Sequence, residues 1–85
     1  MVEKISVNVK ILSLNIEHNF LVPSEMCVGD AISLIVKILI EQYPEAMVKR
    51  LNEYSLMHLL SGDFLNPNCS FKQLEIVQGE KLLLV

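Results

Sequence analysis

Eighty-five residues allow one small hydrophobic core and no second one. With 52% hydrophobic and 20% charged residues the chain is too apolar for a disordered tail. Seven Lys+Arg against ten Asp+Glu leave a net charge of −3, and Lys49-Arg50 is the only adjacent basic pair, so nucleic-acid binding lacks its main electrostatic term.

From the N-terminus, Ile5, Val7, Val9 and Ile11 alternate with Ser6, Asn8 and Lys10, which predicts a half-buried strand. No apolar signal-peptide core precedes it. A second strand is expected over 16–22, joined through Ser13–Asn15 as an antiparallel hairpin and ended by Pro23. Gly29-Asp30 opens a helix, with Asp30 as its expected N-cap. Ile32, Ile35, Val36, Leu39 and Tyr43 recur at helical spacing and should face a sheet, and Pro44 stops the helix. Leu34, Ile38 and Ile40 lie off that stripe. They are either covered by a second short helix over 45–52, through Met47 and Leu51, or form a second docking surface.

Beyond them, 57–60 is expected as a buried strand, Ser61-Gly62-Asp63 as a turn, Phe64-Leu65 as a brief return strand and Asn66-Pro67-Asn68 as another turn. Ser70 can cap a short helical turn carrying Phe71 and Leu74, and 81–85 is the last strand. The order β-β-α-(α)-β-β-β fits an α+β, β-grasp arrangement. One mixed sheet carries the main helix on one face, in a single domain spanning 1–85.

Chemistry-bearing residues are sparse. His18 and His58 sit on separate strands with no acidic or thiol cluster at ligand spacing. Cys27 and Cys69 lack the spacing of a redox pair or half a zinc site, and they read as reduced thiols of a cytosolic protein. Ser61-Gly62-Asp63 carries one glycine and no following Gly-Lys-Ser/Thr, so it is a turn and no phosphate cradle. No apolar run is long enough to span a bilayer. The chain is therefore expected to be no enzyme, and to hold no metal and no cofactor.

Leu59-Leu60-Ser61-Gly62-Asp63-Phe64-Leu65 resembles the strand-turn-strand of ubiquitin-like domains. Ser70-Phe71-Lys72-Gln73-Leu74-Glu75-Ile76 is similar to their short capped turn, and Leu82-Leu83-Leu84-Val85 to their last strand. In those proteins the open sheet face is the usual partner-docking surface. The resemblance carries that role to Leu59, Leu83 and Val85, while Leu82, Leu84 and Leu60 would face the core. A flexible Gly-Gly tail, which conjugation and sulfur transfer require, does not follow Val85, so neither activity is expected. Leu21-Val22-Pro23, then Val28 and the apolar helix, together with the ending Gln78-Gly79-Glu80-Lys81-Leu82-Leu83-Leu84-Val85, resemble the YukD/EsaB family. That family comprises small cytosolic ubiquitin-like accessory proteins of bacterial type VII secretion systems. The resemblance implies a cytoplasmic adaptor that docks on a protein partner such as a secretion ATPase or membrane subunit. It implies no membrane insertion. A generic ubiquitin-like adaptor and a homodimerising module are the competing readings.

Overall fold

The computed structural model describes residues 3–85; Met1 and Val2, which begin the expected N-terminal alternation and domain, lie outside the described residues. Two long strands come first, β1 (Lys4–Ile11) and β2 (Ile16–Pro23). They form an antiparallel hairpin in unbroken register from Lys4↔Pro23 to Ile11↔Ile16. Asn15 closes its turn at φ 52°, a left-handed conformation that asparagine tolerates better than most residues. The helix α1 (Val28–Gln42) crosses back. β4 (Lys81–Leu84) then runs parallel to β1, and β3 (Leu56–His58) pairs antiparallel with β4. The sheet order is β2-β1-β4-β3, so the last strand in sequence is an inner one.

The periods expected from the sequence hold. Ile5, Val7, Val9 and Ile11 are all buried. Val28, Ala31, Ile32, Ile35, Val36 and Leu39 form the buried stripe of α1 against them. Leu82 and Leu84 face the helix, as their alternation requires, and Leu56 joins them from β3. Phe71 is the largest fully buried side chain and closes the core from below the helix N-terminus.

The helix start differs from expectation. Asp30 lies in the first turn; the N-cap position is Cys27, which makes no side-chain capping bond. The free amides are satisfied from far along the chain. Val28 N–H donates to the Cys69 carbonyl and Gly29 N–H to the Pro67 carbonyl, each at 2.9 Å. A cap made by backbone some forty positions away leaves no local sequence signal. The helix ends as expected: Tyr43 N–H donates to the Leu39 carbonyl at 2.7 Å, and Pro44 follows.

The expected helix over 45–52 does not form. Turns at 44–46 lead to a short 3-10 turn, Leu51–Glu53. Met47 alone plugs into the core, while Val48 is exposed. The strand expected over 57–60 starts one residue earlier and stops at His58, because Gly62 N–H returns to the His58 carbonyl at 2.9 Å and turns the chain out of the sheet. Leu60, expected in the core, is therefore 89% exposed. The return strand at Phe64-Leu65 shrinks to a single bridge between Met57 and Phe64.

Candidate functional site: the open face of the sheet

One face of the sheet carries α1; the other is open. The register fixes what that open face displays. Lys10 of β1 lies beside Leu83 of β4, which lies beside Met57 of β3. One step toward the strand end, Leu12 N–H donates to the Leu84 carbonyl, and Ser55 and Val85 exchange two bonds at 3.0 Å each. That makes a second row of Leu12, Val85 and Ser55. One step the other way, Asn8 lies beside Lys81, and Leu59 N–H donates to the Lys81 carbonyl at 3.1 Å. The three rows place Leu12, Val85, Leu83, Met57 and Leu59 in an oblique apolar band. Lys10 and Lys81 border it.

Sequence reasoning placed Leu59, Leu83 and Val85 on this face, and the register brings all three into the band. Leu83 and Val85 are half-buried, because β4 is an inner strand with neighbours on both sides; Leu59 is exposed. Met57 and Leu12 were missed. Met57 becomes legible once Leu56 is recognised as the buried start of β3, since its neighbour must then point the other way. At the far end, Leu12, Val48 and Val85 line a cleft of about 180 Å³.

The second proposed surface, Leu34, Ile38 and Ile40, divides in two. Leu34 and Ile38 are one turn apart and share a flank, 50% and 44% exposed. Ile40 lies on the other flank, roughly 120–160° around the helix at about 100° per residue. The segment 44–53 does not cover Leu34 and Ile38. Its Leu51 lies instead across a cleft of about 380 Å³ from Gly29, Ile32 and Ser33, on the opposite side of α1.

The histidines have partners the sequence did not reveal. His58 Nε2 and Glu80 Oε2 lie 2.5 Å apart, tying the end of β3 to the start of β4. Tyr43 Oη and His18 Nε2 approach to 3.4 Å between the helix end and β2. Cys27 and Cys69 are free and half-buried, with Cys27 Sγ 3.9 Å from the Asn68 carbonyl oxygen. Among the described residues no three His, Cys, Asp or Glu side chains come together as a metal site. Among the same residues no helix is long and apolar enough to cross a membrane.

No protein-family model matches the sequence, and no curated protein sequence matches it either. Solved structures do match. The chain is similar to the ubiquitin-like domain of EccD5 from Mycobacterium xenopi, with a TM-score of 0.77 at 16% identity, covering 98% of this chain and 93% of that one. It is also similar to a part of one chain in the MycP5-free ESX-5 inner membrane complex. There the TM-score is 0.75 at 16% identity, over 96% of this chain but only 20% of the other. Ubiquitin of Caldiarchaeum subterraneum matches with a TM-score of 0.71 at 13% identity, covering 96% of this chain and 91% of that one. These likenesses fall on the same helix-over-sheet arrangement that the residues above build. The chain has a ubiquitin-like, β-grasp fold.

Proposed function

We propose that this chain is a ubiquitin-like component of a type VII secretion system, working in the cytoplasm without catalysis by docking the open face of its sheet on another protein of the machinery. The observation that carries the reading is the likeness, over nearly the whole chain, to the EccD5 ubiquitin-like domain and to part of an ESX-5 inner membrane complex. The YukD/EsaB resemblance of the sequence points to the same machinery and to an accessory role within it.

The open face supplies the means. Leu83, Met57 and Val85 offer apolar contact at its centre, and Lys10 and Lys81 offer positive charge at its border. A partner that fits inserts one or two apolar side chains and surrounds them with carboxylates. The candidates are a secretion ATPase and a membrane subunit. On a chain whose net charge is −3, this local reversal of sign also helps to orient the approach.

The test is co-purification from gently solubilised host cells. Wild-type protein, Leu83→Asp and Met57→Asp serve as baits, and the fold of each is checked by circular dichroism. Recovery of a secretion ATPase or membrane subunit with wild type, and its loss with both variants, supports the reading. Recovery that survives both substitutions removes the sheet face from it, and failure to recover any secretion component removes the secretion role.

A further inference from the structure

The two edges of the sheet are built differently. The β3 edge is three residues long and is shielded by the bridge from Met57 to Phe64. The β2 edge is eight residues long, and its ladder with β1 runs without a bulge. Proteins usually blunt such an edge with lysine, an internal proline or a bulge. β2 reads Ile16-Glu17-His18-Asn19-Phe20-Leu21-Val22-Pro23; it has no lysine, and its proline comes only at the end.

The backbone groups left open on that edge can be named. Asn8 and Leu12 donate their N–H groups to the Glu80 and Leu84 carbonyls, and Gly79 N–H donates to the Ser6 carbonyl. Even-numbered residues of β1 thus turn toward β4, and the odd-numbered ones toward β2. Their partners are Ile16, His18, Phe20 and Val22. Glu17, Asn19 and Leu21 must therefore direct their N–H and C=O groups outward, away from the sheet.

Those three residues suit a second copy of themselves. We infer that the chain forms a two-fold symmetric dimer by antiparallel pairing of β2 with β2, Asn19 opposite Asn19 and Glu17 opposite Leu21. In that register all three outward residues meet outward residues and no proline is used. A shift by one pair brings Pro23, which has no N–H, opposite Glu17. On the helix side, Ile16 meets Val22 and His18 meets Phe20, apolar or aromatic in each case. His18 and Phe20 already pack within their own strand, with ring centroids 6.1 Å apart. On the open side, Glu17 is the only charge and it faces Leu21, so no like charges are opposed.

The flank of α1 bearing Gly29 and Ser33 faces the 51–67 side of the molecule. The opposite flank, with the exposed Leu34 and Ile38, is therefore turned toward the β2 edge of the sheet. This surface is distinct from the Leu83 face, so the two can be tested apart.

Sedimentation equilibrium of the whole chain across a range of concentrations is the experiment. Wild type is expected to pass from one chain mass to two as concentration rises. Asn19→Lys sets two ammonium groups opposite each other; it removes the exposed hydrogen bond that Asn8 Nδ2 donates to Asn19 Oδ1 at 3.1 Å but leaves the backbone ladder of the hairpin in place, and it is expected to weaken the dimer at least tenfold. Asn19→Pro removes an outward N–H that β1 does not use, with the same expectation; if it fails to fold, Asn19→Lys decides. Leu83→Asp should dimerise like wild type. Amide exchange at Glu17, Asn19 and Leu21 should slow only in the concentrated wild-type sample. The inference is overturned if wild type stays monomeric to about 1 mM, which leaves the edge to the strand of some other protein. It is overturned equally if the Asn19 variants dimerise as wild type does, or if Leu83→Asp is the substitution that abolishes pairing.

Discussion

Gly29 shows how a single residue is fixed by distant chain. It stands in the first turn of α1 with the Pro67 carbonyl oxygen 3.1 Å and the Pro67 Cβ 3.3 Å from where a Cβ of its own would sit. Its amide also donates to that same carbonyl. Any side chain here pushes on the contact that caps the helix. Gly29→Val is expected to lower the unfolding free energy by about 1–3 kcal/mol, the usual range for overpacking, here against the Pro67 backbone. Urea denaturation measures it; an unchanged midpoint would mean that the 66–68 turn yields freely. Ser24 makes the opposite case. Its hydroxyl is buried with no hydrogen-bond partner among the described residues, although its N–H donates to the Glu3 carbonyl at 2.8 Å. An unsatisfied buried hydroxyl costs on the order of 1–3 kcal/mol, so Ser24→Ala should leave stability unchanged or raise it. A clear loss in the same denaturation assay would show that the hydroxyl has a partner after all.

At the scale of elements, the parts legible in the sequence are those whose signal is periodic. The alternation of β1 and the 3.6-residue stripe of α1 each place core residues correctly, because burial on one side imposes a period that survives in the residue types. The turn at Ser70 was legible for a different reason: its signal is local. Ser70 N–H donates to Gln73 Oε1 at 2.8 Å, and Gln73 N–H donates back to Ser70 Oγ at 3.1 Å. This reciprocal pair holds the turn that carries Phe71 into the core. Ser70→Ala is expected to cost about 1 kcal/mol, as the loss of comparable caps does, and a thermal melt beside Gln73→Ala would show whether the two bonds act together. What the sequence hid was neither periodic nor local. The stretch 45–52 contains Ala46, Met47, Val48 and Leu51, yet only Met47 is buried, so its apolar count imitated a helix that the backbone does not make. Leu60 was misplaced because an alternation was carried past the residue where β3 ends. Leu34, Ile38 and Ile40 were rightly seen as leaving the buried stripe, but their division between two flanks depends on which side of the helix the 51–67 segment occupies. The apolar band on the open face was half legible. Leu83 follows from strand alternation and Met57 does so once the start of β3 is known, whereas Leu12 enters only through cross-strand register.

The whole molecule is organised around a strand that comes last in sequence and lies inside the sheet. β4 pairs with β1 on one side and β3 on the other, and it contributes Leu82 and Leu84 to the core. Its approach is bound on the same side: Gly79 N–H meets the Ser6 carbonyl at 2.7 Å, and Gln78 Oε1 accepts the Ser6 N–H at 2.7 Å. Deleting residues 81–85 should therefore abolish cooperative unfolding altogether, whereas the point changes above only shift its midpoint. A dispersed amide spectrum from the truncated chain would contradict this.

That position has a consequence during synthesis. While the ribosome still holds residues 81–84, the β1–β2 hairpin and α1 are already outside, but the slot between β1 and β3 is empty. The side of β1 that faces the slot then offers an unpaired backbone edge at Ser6, Asn8 and Leu12. Among the described residues no earlier strand fills that slot, so the sheet closes only once residues 81–84 have cleared the exit tunnel. For that interval the nascent chain is a natural client for chaperones. Its exposure to aggregation in that interval depends on how soon residues 81–84 follow α1 out of the tunnel, more than on how stable the closed sheet is.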